Sequence, residues 1–501
     1  MFSNYIGFEK VDQFLKKYYE RWTHPDKAVK KLYQAIVVLV ITLFVWNMPS
    51  SWFGMEGITV VQQRLIAIFV FAMLMWVMEV VPAWATSVAV IGLLLLFTSD
   101  SGIGPMCDAE KVGQLLSYKG VMATFADPVI MLFIGGFILA IAATKTGLDA
   151  QLAKVLLKPF GSKSENVLLG FLLITGIFSM FISNTATAAM MLTFLTPVFK
   201  QLPANGKGRI AMALAIPVAA NLGGMGTPIG TPPNTIAMKY LNDPEGLNLG
   251  MGFGEWMMFM FPLVIVLLII SWFIIKKMFP FTQKTVELKI EGEMKKGWQT
   301  TVVIVTFFVT VLLWLLDSFT GLNTYTVALI PFVVFALTGV IHRRDLEEIN
   351  WSVIWMVAGG FALGYGLNAS GLANLAVKSI PFGDFSPVLI LVISGLICYM
   401  LSNFISNSAT AALLMPILAV VCTAMGDSLN VIGGTSTVLI GVAIAASSAM
   451  ILPISTPPNA LAFATNLVQQ KDMSKIGIIV GVISMGLGYG LLYLMGSFHL
   501  L

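Results

Sequence analysis

The stretch Phe181-Ile182-Ser183-Asn184-Thr185-Ala186-Thr187-Ala188-Ala189 recurs as Phe404-Ile405-Ser406-Asn407-Ser408-Ala409-Thr410-Ala411-Ala412. Asn407 follows Asn184 by 223 positions. Working outward, Gly135-Gly136-Phe137 returns as Gly359-Gly360-Phe361 at a spacing of 224, and Thr231-Pro232-Pro233-Asn234 returns as Thr456-Pro457-Pro458-Asn459 at 225. Three motifs in one order at nearly one spacing mark an internal duplication, which has to be recognised before any motif is interpreted. The chain divides into a first repeat, 59–277, and a second, 298–497, joined by a linker, 278–297. An extra span, 33–58, and an N-terminal segment, 1–32, precede them.

The solvent of this chain follows from its composition. Of 501 residues, 57% are hydrophobic and 11% charged, where a soluble domain is nearer a quarter charged. Apolar runs long enough to cross the hydrocarbon core recur throughout. The expected fold class is an all-α polytopic membrane protein, in contact with lipid. The net charge of +4 includes no basic domain, which excludes a nucleic-acid partner. Cys107, Cys398 and Cys422 lie far apart with no metal spacing. His24, His342 and His499 all fall outside the repeated motifs, against a histidine metal site or general base. Over residues 7–22, Phe8, Val11, Phe14, Leu15, Tyr18, Tyr19 and Trp22 recur at helical spacing with charges between them, the pattern of an amphipathic helix lying in the membrane interface.

About eleven transmembrane helices are expected, over 33–48, 59–81, 83–98, 128–145, 210–240, 254–275, 298–316, 323–341, 352–369, 433–468 and 476–497. Basic residues mark the cytoplasmic side. Lys27, Lys30 and Lys31 precede the first span; Lys276, Lys277, Lys284, Lys289, Lys295 and Lys296 follow the sixth; Arg343 and Arg344 follow the eighth. The N-terminus is then cytoplasmic, the loop around Asp243-Pro244-Glu245 external and the C-terminus external. This holds only if 166–199 and 386–423 are re-entrant hairpins, each entering and leaving on one side. The second repeat then begins on the side opposite to the first. Inverted repeats with interrupted helices at matching positions point to the midplane site of a secondary transporter.

At a hairpin tip, Ser183-Asn184-Thr185 can cap the returning helix, whose N–H groups favour an anion. Carbonyls ending the preceding helix favour a cation. The alternative, polar residues serving only as glue between helices, is weakened by the duplication beside a proline break. Consecutive prolines remove two N–H donors, and Pro232 pushes Thr231 out of the helical region. The break frees carbonyls at Gly230 and Thr231, for which a cation is a partner. No Lys, Arg, Asp or Glu occurs in 166–199, 210–238, 386–423 or 428–470. An anion bound there needs co-bound cations, and Na+, a hard ion, suits hydroxyl, amide and backbone oxygens.

At these residues the sequence resembles the divalent anion/sodium symporter (DASS) family, the INDY-type dicarboxylate carriers, from Trp76-Val77-Met78-Glu79 to the final span. The resemblance implies a homodimer, each protomer divided into a scaffold and an elevator-type transport domain. It implies at least two co-transported Na+ ions, one held by Ser179, Ser183, Asn184 and the backbone of Gly230, the other by Ser402, Asn407 and the backbone of Ile405 and Ser455. The small divalent anion would meet Asn184, Thr185 and Thr231 from one half, and Asn407, Ser408 and Thr456 from the other. Ser408 stands where the family's second tip usually has Thr. The expectation is Na+-coupled symport of a C4-dicarboxylate such as succinate, malate or fumarate, in a bacterial inner membrane. Its rivals are a Na+-independent dicarboxylate exchanger and a Na+/sulfate symporter. An enzyme is not expected: there is no HExxH and no acid pair within a span.

Overall fold

The computed structural model describes residues 25–204, 206–243, 247–287, 294–379 and 386–498. The amphipathic helix expected over 7–22 and most of the Asp243-Pro244-Glu245 loop lie outside the described residues. Among those described, regular structure is helical apart from two isolated bridges, Ser99–Leu116 and Lys163–Thr285. Within the described residues, eight helices are long and apolar enough to cross a membrane: Val29–Trp46, Val60–Val77, Tyr118–Thr146, Phe253–Met278, Trp298–Leu315, Trp351–Ala369, Asn407–Ile432 and Gln470–Ser497. Five shorter apolar helices accompany them. The sequence expectation of eleven spans took each interrupted stretch as one crossing, and the structure divides those stretches into separate helices.

Local chemistry sets the helix ends. Thr59 and Gln62 form a reciprocal capping box at the start of Val60–Val77, satisfying two otherwise unpaired N–H groups. Asp127 caps Pro128–Thr146 through the Val129 amide at 3.0 Å, with proline at the first helical position, where its missing N–H does no harm. Gly147 ends that helix at φ 74, the left-handed conformation glycine adopts without strain. A short helix, Leu148–Leu157, follows at once. Gly371, at φ 72, makes the corresponding corner before Leu372–Ser379.

The repeated Gly-Gly pairs act in helix packing. A Cβ on Gly135 would sit 2.1 Å from the Ala328 carbonyl oxygen, so Pro128–Thr146 and Thr324–Leu337 touch backbone to backbone. A Cβ on Gly359 would lie 2.4 Å from the Ser87 Cβ, where Trp351–Ala369 crosses Ala83–Thr98. Small residues at helix crossings permit this approach in a membrane, where dispersion and hydrogen bonds hold helices together.

Four helices occupy the centre: Lys207–Gly224 and Pro232–Leu241 on either side of one break, Thr435–Ser448 and Pro457–Ala464 on either side of the other. Residues 211–224 and 436–448 are buried without exception, as expected of helices apolar on every face. Helix Asn184–Gln201 packs on Pro457–Ala464, and Asn407–Met425 packs on Pro232–Leu241. Each tip is thereby set against the break of the other half.

Candidate functional site

Ser183 and Ser406 do the same job at the two tips. Each hydroxyl accepts from the amide three residues on, Ala186 at 3.3 Å and Ala409 at 3.2 Å. The returning helices thus begin at Asn184 and Asn407, the first of them two residues ahead of the start near Ala186 that the sequence suggests.

The tips differ in how their polar atoms are partnered. In the first, Ser179 Oγ lies 2.6 Å from Asn184 Oδ1 and 2.7 Å from the Ala220 carbonyl oxygen. Three oxygens converge and share one hydroxyl proton, a donor-poor cluster of the kind a hard cation fits. In the second, Ser402 Oγ is fully buried and Asn407 Oδ1 is inaccessible, and neither has a hydrogen-bond partner. An unpartnered buried oxygen is costly unless a ligand completes it. Both tips are fastened to the breaks through equivalent carbonyls. Thr227 Oγ1 donates to Met180 O in the first half. Ser455 Oγ donates to Asn403 O at 3.0 Å in the second.

Thr231 and Thr456, each preceding Pro-Pro, adopt extended backbone at φ −150 and −142, the conformation proline imposes on the residue before it. The fourth residue of the motif has a role that spacing alone did not reveal. Asn234 Nδ2 lies within 2.9 Å of Gly224 O, 3.3 Å of Met225 O and 2.8 Å of Thr227 O. Asn459 Nδ2 reaches Met450 O and Leu452 O, both at 2.9 Å. Each asparagine ties carbonyls released at the end of one helix to the start of the next. These amides satisfy carbonyls of Gly224, Met225 and Thr227 in the first break, not the Gly230 and Thr231 carbonyls that the sequence argument singled out.

Tips and breaks enclose a cavity of about 330 Å³. Its wall brings together Ser183, Asn184, Thr185, Gly230 and Thr231 from the first half with Asn407, Ser408, Ser455 and Thr456 from the second. Ser179, Ser402 and Ile405 are buried and do not line it. Gly230 has no room for a side chain, since its Cβ would meet Gly224 O at 2.4 Å. Trp84, Phe133, Phe137 and Met356 form an apolar side, and Asn221, Asn350 and Ser352 add polar groups that sequence reasoning missed. Asn221 was the legible one, a lone amide in the apolar run 210–222. Among the described residues no charged side chain lines the cavity. Among the described residues no group of His, Cys, Asp and Glu could hold a metal ion.

Comparison with known proteins bears on this arrangement. Residues 73–438 match the citrate transporter family, CitMHS. The sodium-dependent dicarboxylate transporter SdcS of Staphylococcus saprophyticus is 30% identical over 456 residues, covering 84% of this chain and 83% of that protein. SdcS of Staphylococcus aureus strain USA300 is 30% identical over 485 residues, covering 90% of this chain and 87% of that one. Two solved structures share the fold at low identity. MtrF of Neisseria gonorrhoeae, described among antimetabolite efflux pumps, has a TM-score of 0.51 at 15% identity, covering 82% of this chain and 94% of its own. The YdaH transporter of Alcanivorax borkumensis has a TM-score of 0.54 at 14% identity, covering 83% and 99%.

Proposed function

Since the chain belongs to the citrate transporter family and is an integral membrane transporter of the divalent anion/sodium symporter type, we propose that it couples Na+ to the uptake of a small divalent anion, a C4-dicarboxylate. The observation that carries this reading is the duplicated, oxygen-rich and wholly uncharged cavity. A dianion there meets no side-chain cation, so its charge is balanced by helix N-termini and by ions bound with it. The names of the 30%-identical relatives supply the same ion and the same substrate class.

In this proposal one Na+ is held by Ser179, Ser183, Asn184 and the backbone of Gly230. The other is held by Ser402, Asn407 and the backbone of Ile405 and Ser455. Asn184, Thr185, Thr231, Asn407, Ser408 and Thr456 face the carboxylates. The oxygen cluster at the first tip and the unpartnered oxygens at the second support the two ion sites. Inverted repeats over 59–277 and 298–497, a homodimer and an elevator motion of the hairpins and broken helices belong to the same proposal. The packing of each tip's helix on the other half's broken helix supports the repeats, and the family resemblance supports the dimer and the elevator motion. The distribution of Lys and Arg favours a cytoplasmic N-terminus and an external C-terminus, and the bacterial relatives favour a bacterial plasma membrane.

Proteoliposomes test the reading. Succinate uptake should rise with external Na+ and vanish in K+ or choline. Uptake indifferent to Na+ but dependent on internal anion would establish the exchanger instead. Citrate and sulfate belong in the competition panel, citrate because the family carries that name.

A further inference from the structure

The two breaks are built alike, though Thr456 caps its helix and Thr231 does not, and one further difference joins the two halves. Met450 and Leu452, bound by Asn459, follow Met225 and Thr227, bound by Asn234, by 225 positions. The difference lies at the other end of each amide. Asn234 Oδ1 is buried with no partner. Asn459 Oδ1 accepts from Asn221 Nδ2 at 3.1 Å, a bond that crosses from the first half to the second. The residue 225 positions after Asn221 is Ala446, which has no amide to offer. Asn221 is 2% exposed, and what it exposes borders the cavity.

We infer that Asn221 is a positioning residue that sets the length of dicarboxylate accepted, by fixing the separation of Thr231 from Thr456. The inference rests on the dicarboxylate reading above. Asn459 cannot exchange the ends of its amide, because its nitrogen is committed to two carbonyls. Its backbone amide donates to Thr456 Oγ1 at 3.3 Å, so Thr456 is placed with Asn459. Asn221 therefore ties the cradle of one carboxylate to the half that carries the other. A dicarboxylate must span both cradles and senses their separation; an ion as compact as sulfate does not. Discrimination against one extra methylene commonly reaches about 10–200-fold, and it depends on walls that do not drift.

The test uses the full chain in proteoliposomes under a Na+ gradient, with labelled succinate competed by succinate, glutarate and sulfate. The wild type should prefer succinate to glutarate by about tenfold or more. In Asn221→Ala, and in Asn221→Leu, which keeps the branched shape with bulkier methyls and no donor, the preference should fall to roughly threefold or less. Inhibition by sulfate should be unchanged, and both variants should still melt cooperatively, at a temperature lowered by the loss of the Asn459 partner. A preference retained in a folded variant overturns the inference and leaves the substrate reading intact. If neither variant melts cooperatively, the bond is a folding contact and the inference is likewise overturned. A wild type that takes up no dicarboxylate sinks the substrate reading and this inference together.

Discussion

Asn184 and Asn407 present amide oxygens at the tips, whereas Asn234 and Asn459 turn their nitrogens inward to carbonyls. The two pairs should fail in different ways. Asn184→Ala and Asn407→Ala are expected to abolish Na+-driven uptake while the purified protein still melts cooperatively; wild-type uptake by both would mean that the tips are only glue. Asn459→Ala should lower the melting temperature as well, because each buried carbonyl left unpaired costs about 1–3 kcal/mol. The tip residues were legible in the sequence because they are duplicated, polar and surrounded by apolar residues. The clamp of Asn234 and Asn459 was not, since its partners are backbone atoms that leave no mark in the side-chain pattern. Asn221 escaped for the opposite reason: its value lies in having no copy in the other half.

Helices and their junctions carry a second set of expectations. Gly135→Ala should force Pro128–Thr146 away from Thr324–Leu337, because the added methyl meets a carbonyl and not a flexible side chain. The expected result is a loss of about 1–3 kcal/mol, read as a lower melting temperature, whereas Gly104→Ala, with open space around it, serves as the unchanged control. Lys239 on Pro232–Leu241 pairs with Asp127 at 2.9 Å, and both are largely buried. Removing either partner strands the other, so Lys239→Gln should destabilise by about 1–3 kcal/mol. Adding Asp127→Asn should restore part of that loss; a double-mutant cycle on melting with no coupling would remove the pair from the account. Most helix ends could be read from Pro, Gly and capping residues. The short helices Leu148–Leu157 and Leu372–Ser379 could not, because they are too brief for apolar periodicity to stand out. The paired corners Thr146-Gly147-Leu148 and Ser370-Gly371-Leu372 were the available signal.

At the scale of the whole molecule, composition decided the solvent and duplication decided the plan. Neither could show that the centre is made of the two broken helices, because burial inside a bundle and exposure to lipid select the same apolar side chains. The cavity wall without a charged side chain has one further consequence. The electrical work of a crossing falls on the bound ions and the anion themselves, at about 2.3 kcal/mol per elementary charge per 100 mV. Two Na+ per dianion would cross silently under a voltage clamp, while three would carry one unit of current per turnover. Current recorded beside labelled uptake would therefore count the ions directly. Voltage dependence without net current would mean that ion entry or an unpaired protein charge senses the field.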